Sequence, residues 1–209
     1  TWHSRHAPAV EPAKAWLAGK QITKVEIIWK EDVKKWHPGQ TWIWKAGGAG
    51  IFDPGINALS ILTHILPFAV HLSSAELFFP SNCDTPIAAQ LIFANHKSVR
   101  ITAEFDWRQT GPQTWDIFIE TTGGQMKLSE GGSKMVVDGT IKSEAPETEY
   151  DQIYSRFAAL LENNEIDEGE NFLVSELSEG MAPSLEVLER AKQLDICAHR
   201  GMTIWRFSL

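Results

Sequence analysis

Apolar positions along the chain change period twice. "APAVEPAKAWLAGK" has helical composition and ends at Gly19, with Lys14 and Lys20 suited to a C-terminal turn. "ITKVEIIWKED" sets Val25, Ile27 and Trp29 against Lys24, Glu26 and Lys30, an alternation that predicts a strand. A long aromatic stretch, "VKKWHPGQTWIWKAGGAG", shows neither period and reads as a loop. Loops of that length are usually functional or disordered, and Trp36, Trp42 and Trp44 argue against disorder. In "GGAGIFDPGIN" a helix begins: Asp53 suits the N-cap, Pro54 the first helical position, and the helix runs to about Leu66 before Pro67.

Beyond Pro67 the period becomes two. "AVHLSSAELFF", "IAAQLIFA", "SVRITAEFDW", "TWDIFIETT", "QMKLSE" and "KMVVDG" are short alternating runs separated by hairpin-grade turns. Val99, Ile101, Ala103, Phe105 and Trp107 share one face of their strand, opposite Arg100, Thr102, Glu104 and Asp106, so the sheet has one dry face. "TEYDQIYSRFAALLENN" returns to helical spacing through Tyr150, Tyr154, Phe157 and Leu161, and "PSLEVLERAKQLDIC" predicts a further helix. The fold class is α+β: an open, mainly antiparallel sheet with helices packed on one face, in a single domain over 1–209. The polar face, with Arg100, Thr102, Glu104 and Asp106, is left for a second copy in a homo-oligomer, a dimer in the simplest case.

Composition narrows the partners. With 43% hydrophobic and 22% charged residues the chain is an ordinary globular protein, and its formal charge of −8 leaves no basic excess for nucleic acid or an anionic membrane surface. Between Arg156 and Arg190 there is no lysine or arginine, and the carboxylates there read as a solvated acidic stretch. Cys83 and Cys197 make no disulfide framework, which suits a cytoplasmic protein. The longest apolar run, 56–70, is interrupted by Asn57, Ser60, His64 and Pro67 and is too short to span a bilayer.

The glycines of "GGAGIFDPGIN" do not space as a dinucleotide loop, which needs G-x-G-x-x-G between a strand and a helix. Asp53, Asn57, Ser60 and His64 instead form one polar line on an otherwise apolar helix. Such a line faces water, a partner or a pocket, because buried polar groups need partners. His64 taken alone reads as a buried, hydrogen-bonded histidine. "WHSRH" at 2–6 and "KEDVKKWHPGQTW" add His3, Glu31, Asp32, Trp36, His37 and Trp42. Carboxylates and amides bind sugar hydroxyls, and indoles cover apolar ring faces, so the inventory is carbohydrate-like. A metal held by His3 and His6 with Glu31 or His37 is only weakly signalled, and no metal is expected.

"GGAGIFDPGIN" resembles the G-G-G-x-x-x-D-x-G-x-H motif of the Gfo/Idh/MocA oxidoreductases. "WHSRHAPAVEPAKAWL" is similar to the segment that leads into that family's C-terminal domain. The resemblance is strongest over residues 1 to about 120, and its wording is nearest to the bacterial L-arabinose and D-galactose 1-dehydrogenases. It implies a substrate-binding and oligomer-forming domain, with a Rossmann domain for NAD(P) expected upstream of residue 1. NAD versus NADP stays open, and the chain alone is expected to be inactive. Carried over by position, Asp53 matches the motif aspartate beside the reacting carbon. Asn57 stands where many members have histidine and should hold a hydroxyl rather than act as a base. These two are the implied catalytic pair. His3, Glu31, Trp36, His37 and Trp115 join them as the implied sugar contacts. The family's lysine, in a Glu-Lys-Pro motif, would lie upstream of residue 1. The implied reaction removes the anomeric hydroxyl proton and transfers hydride from C1 to nicotinamide, giving an aldonolactone. Non-catalytic sugar sensing on the same fold is the alternative, and a metal-dependent isomerase or epimerase a weaker third.

Overall fold

The computed structural model describes residues 2–165, 198–199 and 202–208. A 3-10 turn at His3–His6 leads into α1, Val10–Leu17, and then into β1, Ile22–Lys30. Between β1 and the next strand lie α2, Val33–Trp36, a 3-10 turn at Thr41–Trp44, and α3, Phe52–Ile65. Strands β2, His71–Pro80, β3, Ala88–Ala94, and β4, Arg100–Asp106, form the first meander. They continue as β5, Thr114–Thr121, β6, Gly124–Ser129, and β7, Lys134–Val137. After β8, Thr140–Glu144, come α4, Glu149–Asn163, then β9, Ala198–His199, and β10, Met202–Ser208.

The strands make one sheet in the order β8-β7-β6-β5-β1-β4-β3-β2-β10-β9. Every pairing is antiparallel except β1 with β4, which run parallel as the chain crosses over through α3, β2 and β3. The expected α+β, mainly antiparallel class therefore holds. Val25, Ile27, Ile101, Phe105, Ile117 and Ile119 are all buried on the dry face, under Val10 and Leu17 of α1 and Leu59 and Leu62 of α3. Gly55 lets α3 settle directly on the sheet, since a Cβ there would lie 2.9 Å from the Phe105 ring.

Two expectations need correcting, and two further features had no forecast in the sequence. The aromatic stretch is not a bare loop. Asp32 caps α2, its side chain accepting from Lys34 N at 2.9 Å, and a 3-10 turn follows. Asp53 is not the N-cap of α3. Ile51 holds that place, and Asp53 sits inside the first turn without a side-chain capping bond. β8 was not anticipated, because "TIKSE" lies at a sheet edge, largely exposed on both faces, and so shows no apolar alternation. The apolar stripe of α4 is not buried: Tyr150, Tyr154, Phe157 and Leu161 are 58–67% exposed among the described residues. The predicted helix "PSLEVLERAKQLDIC" and most of the acidic stretch lie outside the described residues. Among the described residues, no helix is long and apolar enough to cross a membrane.

Candidate active site

Where β1 ends, the chain on either side of it ends or begins too. The register puts Lys30 beside Asp106 of β4 and Trp29 beside both Phe105 and Trp115. Glu31, Trp107 and Trp115 are therefore brought to one rim of the sheet. α2 carries Trp36 and His37 over that rim, and the first turns of α3 bring Asp53 and Asn57 to it. The 3-10 turn at His3–His6 and the start of α4 complete the enclosure, with His3 stacked on Tyr150 at 5.5 Å and 13° between planes.

The result is a cavity of about 500 Å³. Its walls include His3, Glu31, Trp36, His37, Asp53, Asn57 and Trp115, so the structure brings together the residues implied as catalytic pair and sugar contacts, whereas Asp32, Trp42 and Ser60 do not line it. His6 does not line it, and His64 lies at the far end of α3. Further lining residues, Glu130, Glu147, Glu149, Tyr150 and Asp151, were missed by sequence reasoning. Tyr150 was read only as one of the residues that mark helical spacing, and the acidic residues gave no signal distinct from any solvated turn. Trp29, placed by alternation with Val25 and Ile27, is 3% exposed, yet also borders the cavity.

His37 Nε2 lies 3.1 Å from Asp53 Oδ2, while His37 Nδ1 meets Gln40 Oε1 at 3.2 Å. Asp53 is about one-third exposed, so the pair opens onto the cavity and is not sealed in the core. The Asn57 side chain makes no hydrogen bond among the described residues, which leaves a donor and an acceptor for a ligand. Glu31 is 6% exposed and is held by two indoles: Trp107 Nε1 donates to Oε1 at 3.0 Å and Trp115 Nε1 to Oε2 at 2.9 Å. Burial pushes the Glu31 carboxyl above the usual carboxylate range; the indole donors and His37 pull it back, and Asp53 adds to the rise.

The glycine stretch does not cradle a nucleotide. Gly50 has φ +51° and is wedged where a Cβ would lie 2.7 Å from the Pro86 carbonyl, and Ile51 N donates to that same oxygen at 2.8 Å. These residues anchor the start of α3 against Pro86, just before β3, and are packed against protein backbone. Among the described residues, no group of three or more histidine, cysteine, aspartate and glutamate side chains is placed to hold a metal ion.

No protein-family model matches the chain. It is 46% identical over 156 residues to galactose 1-dehydrogenase of Pseudomonas fluorescens, a match covering 75% of this chain and 51% of that protein. The crystal structure of D-galactose 1-dehydrogenase from Rhizobium etli superposes with a TM-score of 0.76 at 57% identity, covering 80% of this chain and 53% of that one. The chain belongs with the Gfo/Idh/MocA-type oxidoreductases. It spans about half the length of the relatives it matches. An Agrobacterium radiobacter oxidoreductase, solved with NAD+, L-tartaric acid and magnesium, shares the fold at a TM-score of 0.62 and 18% identity over 86% of this chain and 61% of that one.

Proposed function

We propose that this chain is the sugar-binding part of a 1-dehydrogenase that oxidises the C1 hydroxyl of a galactose-type pyranose, D-galactose or L-arabinose, to the aldonolactone. The observation that carries the reading is the convergence of Glu31, His37, Asp53 and Asn57 with indoles from distant parts of the chain in one cavity. Its relatives named for galactose 1-dehydrogenase activity support it. The ionised carboxylates of Glu31 and Asp53 only accept hydrogen bonds, so each takes a sugar hydroxyl, whereas Asn57 can both donate and accept. Trp36 and Trp115 offer apolar faces to the C–H side of the ring. Six carboxylates line the cavity, with no lysine or arginine among the described residues, so a neutral sugar is admitted and a phosphorylated or carboxylated one repelled.

Oxidation at C1 also requires loss of the O1 proton. Asp53 is the group we assign to take it, which neutralises the carboxylate, with His37 Nε2 at 3.1 Å placed to receive the proton in turn. Asn57 holds the neighbouring hydroxyl and fixes the ring. NAD(P), bound mainly by the other half of the intact enzyme, supplies the hydride-accepting chemistry. The test is aldose-dependent NAD(P) reduction by the full-length protein, with the lactone as product. The isolated chain should give none. Full-length protein that binds nucleotide but reduces it with no aldose would sink the reading.

The intact enzyme is proposed to be cytoplasmic and to pair through the outer sheet face. Arg100, Thr102, Glu104 and Asp106 lie there as expected, beside Ile92, which is 50% exposed. A second copy laid on this face would cover Ile92 and the Lys30–Glu104 ion pair of 2.6 Å. Light scattering that finds only monomer at high concentration would exclude the pairing.

A further inference from the structure

Resting on the sugar-binding reading above, we propose that Trp107 is a positioning residue for that reaction, holding Glu31 as an ionised, correctly aimed acceptor of a sugar hydroxyl. Trp107 is fully buried and does not line the cavity. It stands behind the wall. Its indole N–H donates to Glu31 Oε1 at 3.0 Å, and its ring packs against His37 with centroids 5.2 Å apart. Trp44 also meets it, edge-on at 5.3 Å, so the indole packs against His37, at the C-cap of α2, and against the following 3-10 turn.

The backbone ties the same residues together. Glu31 N donates to Asp106 O at 2.9 Å, Val33 N to Trp107 O at 3.2 Å, and Gln109 N to Glu31 O at 3.2 Å. The end of β1 is thereby clamped to the turn that carries Trp107, which fixes the Glu31 backbone beside the indole and leaves the two indole N–H bonds to hold the carboxylate.

The donor chemistry makes the arrangement specific. An indole N–H donates and never accepts. Trp107 on one oxygen and Trp115 on the other are matched to an ionised carboxylate, and protonating either oxygen would set a hydroxyl against the indole or turn it away. Each oxygen keeps a second lone pair for the cavity. Without such donors, a glutamate as buried as Glu31, facing the Asp53 carboxylate, would be driven toward its neutral form and would lose its value as an acceptor. His37 at the C-cap of α2 and Asp53 on α3 are the other titratable groups that face it. Trp115 shares the clamp but touches the cavity directly, so Trp107 isolates the indirect effect.

The experiment uses full-length enzyme with Trp107→Phe, Glu31→Gln and the double variant. Trp107→Phe keeps an aromatic ring, smaller than the indole, and removes the N–H. It should raise KM for D-galactose about tenfold while kcat changes by no more than about twofold. The Glu31 carboxyl, followed by carbon-13 NMR and assigned with Glu31→Gln, should titrate at higher pH in Trp107→Phe. In the Glu31→Gln background the Trp107→Phe effect on KM should largely vanish. Should Trp107→Phe fail to fold, 3-benzothienylalanine at position 107 keeps the indole shape with sulfur in place of N–H, and the same shifts are expected. If Glu31→Gln raises KM but the Trp107 variants move neither KM nor the carboxyl titration, the positioning role is overturned and the site reading stands. If Glu31→Gln leaves galactose KM unchanged, both fall.

Discussion

The two ends of α3 carry the same pair of groups to opposite effect. At its start His37 meets Asp53 at 3.1 Å; at its end His64 meets Glu11 at 2.5 Å. The difference lies in the other ring nitrogen. His64 Nδ1 receives Arg5 Nη2 at 3.0 Å, and a guanidinium can only donate. His64 must therefore present a lone pair to Arg5 and its N–H to Glu11, which fixes a neutral ring and one tautomer. His37 Nδ1 faces the side-chain amide of Gln40, which accepts through oxygen or donates through nitrogen when turned over. His37 can thus meet Asp53 as either a neutral or a charged ring. A partner with a single hydrogen-bonding role makes a structural tie, and a partner with two leaves a group free to follow a reaction. Burial does not separate the two pairs, since His64 and His37 are 14% and 17% exposed and Glu11 is more exposed than Asp53; what differs is place, the first tying α3 to α1 and the 3-10 turn and the second lining the cavity.

The largest expected effect breaks the comparison at the cavity end. In the full-length enzyme Asp53→Ala should lower kcat by about 10²–10⁴-fold, the range of a lost proton-transfer group. Stability should change by no more than roughly 1 kcal/mol, because Asp53 makes no capping bond and contributes only through the helix dipole and a solvent-open pair. Near-normal turnover with a clearly lower melting temperature would give Asp53 the structural role instead. Asn57→Ala, one turn on, should raise KM for the sugar about tenfold and alter kcat much less, since its free amide binds without moving a proton. A large loss of kcat at unchanged KM would contradict that division.

At the far end only stability should respond. Burial and Arg5 hold His64 below its ordinary value of 6.5, burial being the stronger cause, although the Glu11 bond opposes them. Its unfolded form therefore binds more protons near pH 6, and stability rises with pH. The contribution is complete above about pH 6.5 and is lost as pH falls toward the folded value. Glu11, held below its ordinary 4.5 mainly by the His64 bond, adds a second loss at lower pH with the same sign. His64→Gln can still accept from Arg5 and donate to Glu11 but does not titrate. It should leave turnover unchanged, shift stability at pH 7.5 by only about 1 kcal/mol, and flatten the melting-temperature profile between about pH 5 and 6.5. An unaltered profile in thermal melts would show that the His64 tie carries no pH dependence.

Much of this was legible in the chain and some of it was not, for reasons that differ by residue. Alternation such as Val25-Ile27-Trp29 and Ile101-Ala103-Phe105 located the strands, because burial of one face writes itself into a period of two. Helical spacing placed Asp53 and Asn57 on one face of α3, and the same line ran on through Ser60 and His64. What the line could not reveal was where it divides. Ser60 turns inward to donate to the Asn57 carbonyl at 2.7 Å, and His64 is claimed by α1 and the first 3-10 turn, partners more than 50 residues away.

The sequence alone determined the α+β class, the order of its main elements and part of the inventory of groups that meet in the cavity, from His3 and Glu31 to Asp53, Asn57 and Trp115. Only the tertiary structure decided that β1 runs parallel to β4 between it and β5, and from that pairing follows the meeting of Glu31, Trp107 and Trp115 at one rim. Periodicity is a local property, written by each segment's own burial, whereas strand order and the hydrogen-bonding role of a distant neighbour are not encoded in any single segment. That is why Trp107 reads in the chain as one more apolar residue, and only in the fold becomes the donor behind a buried carboxylate.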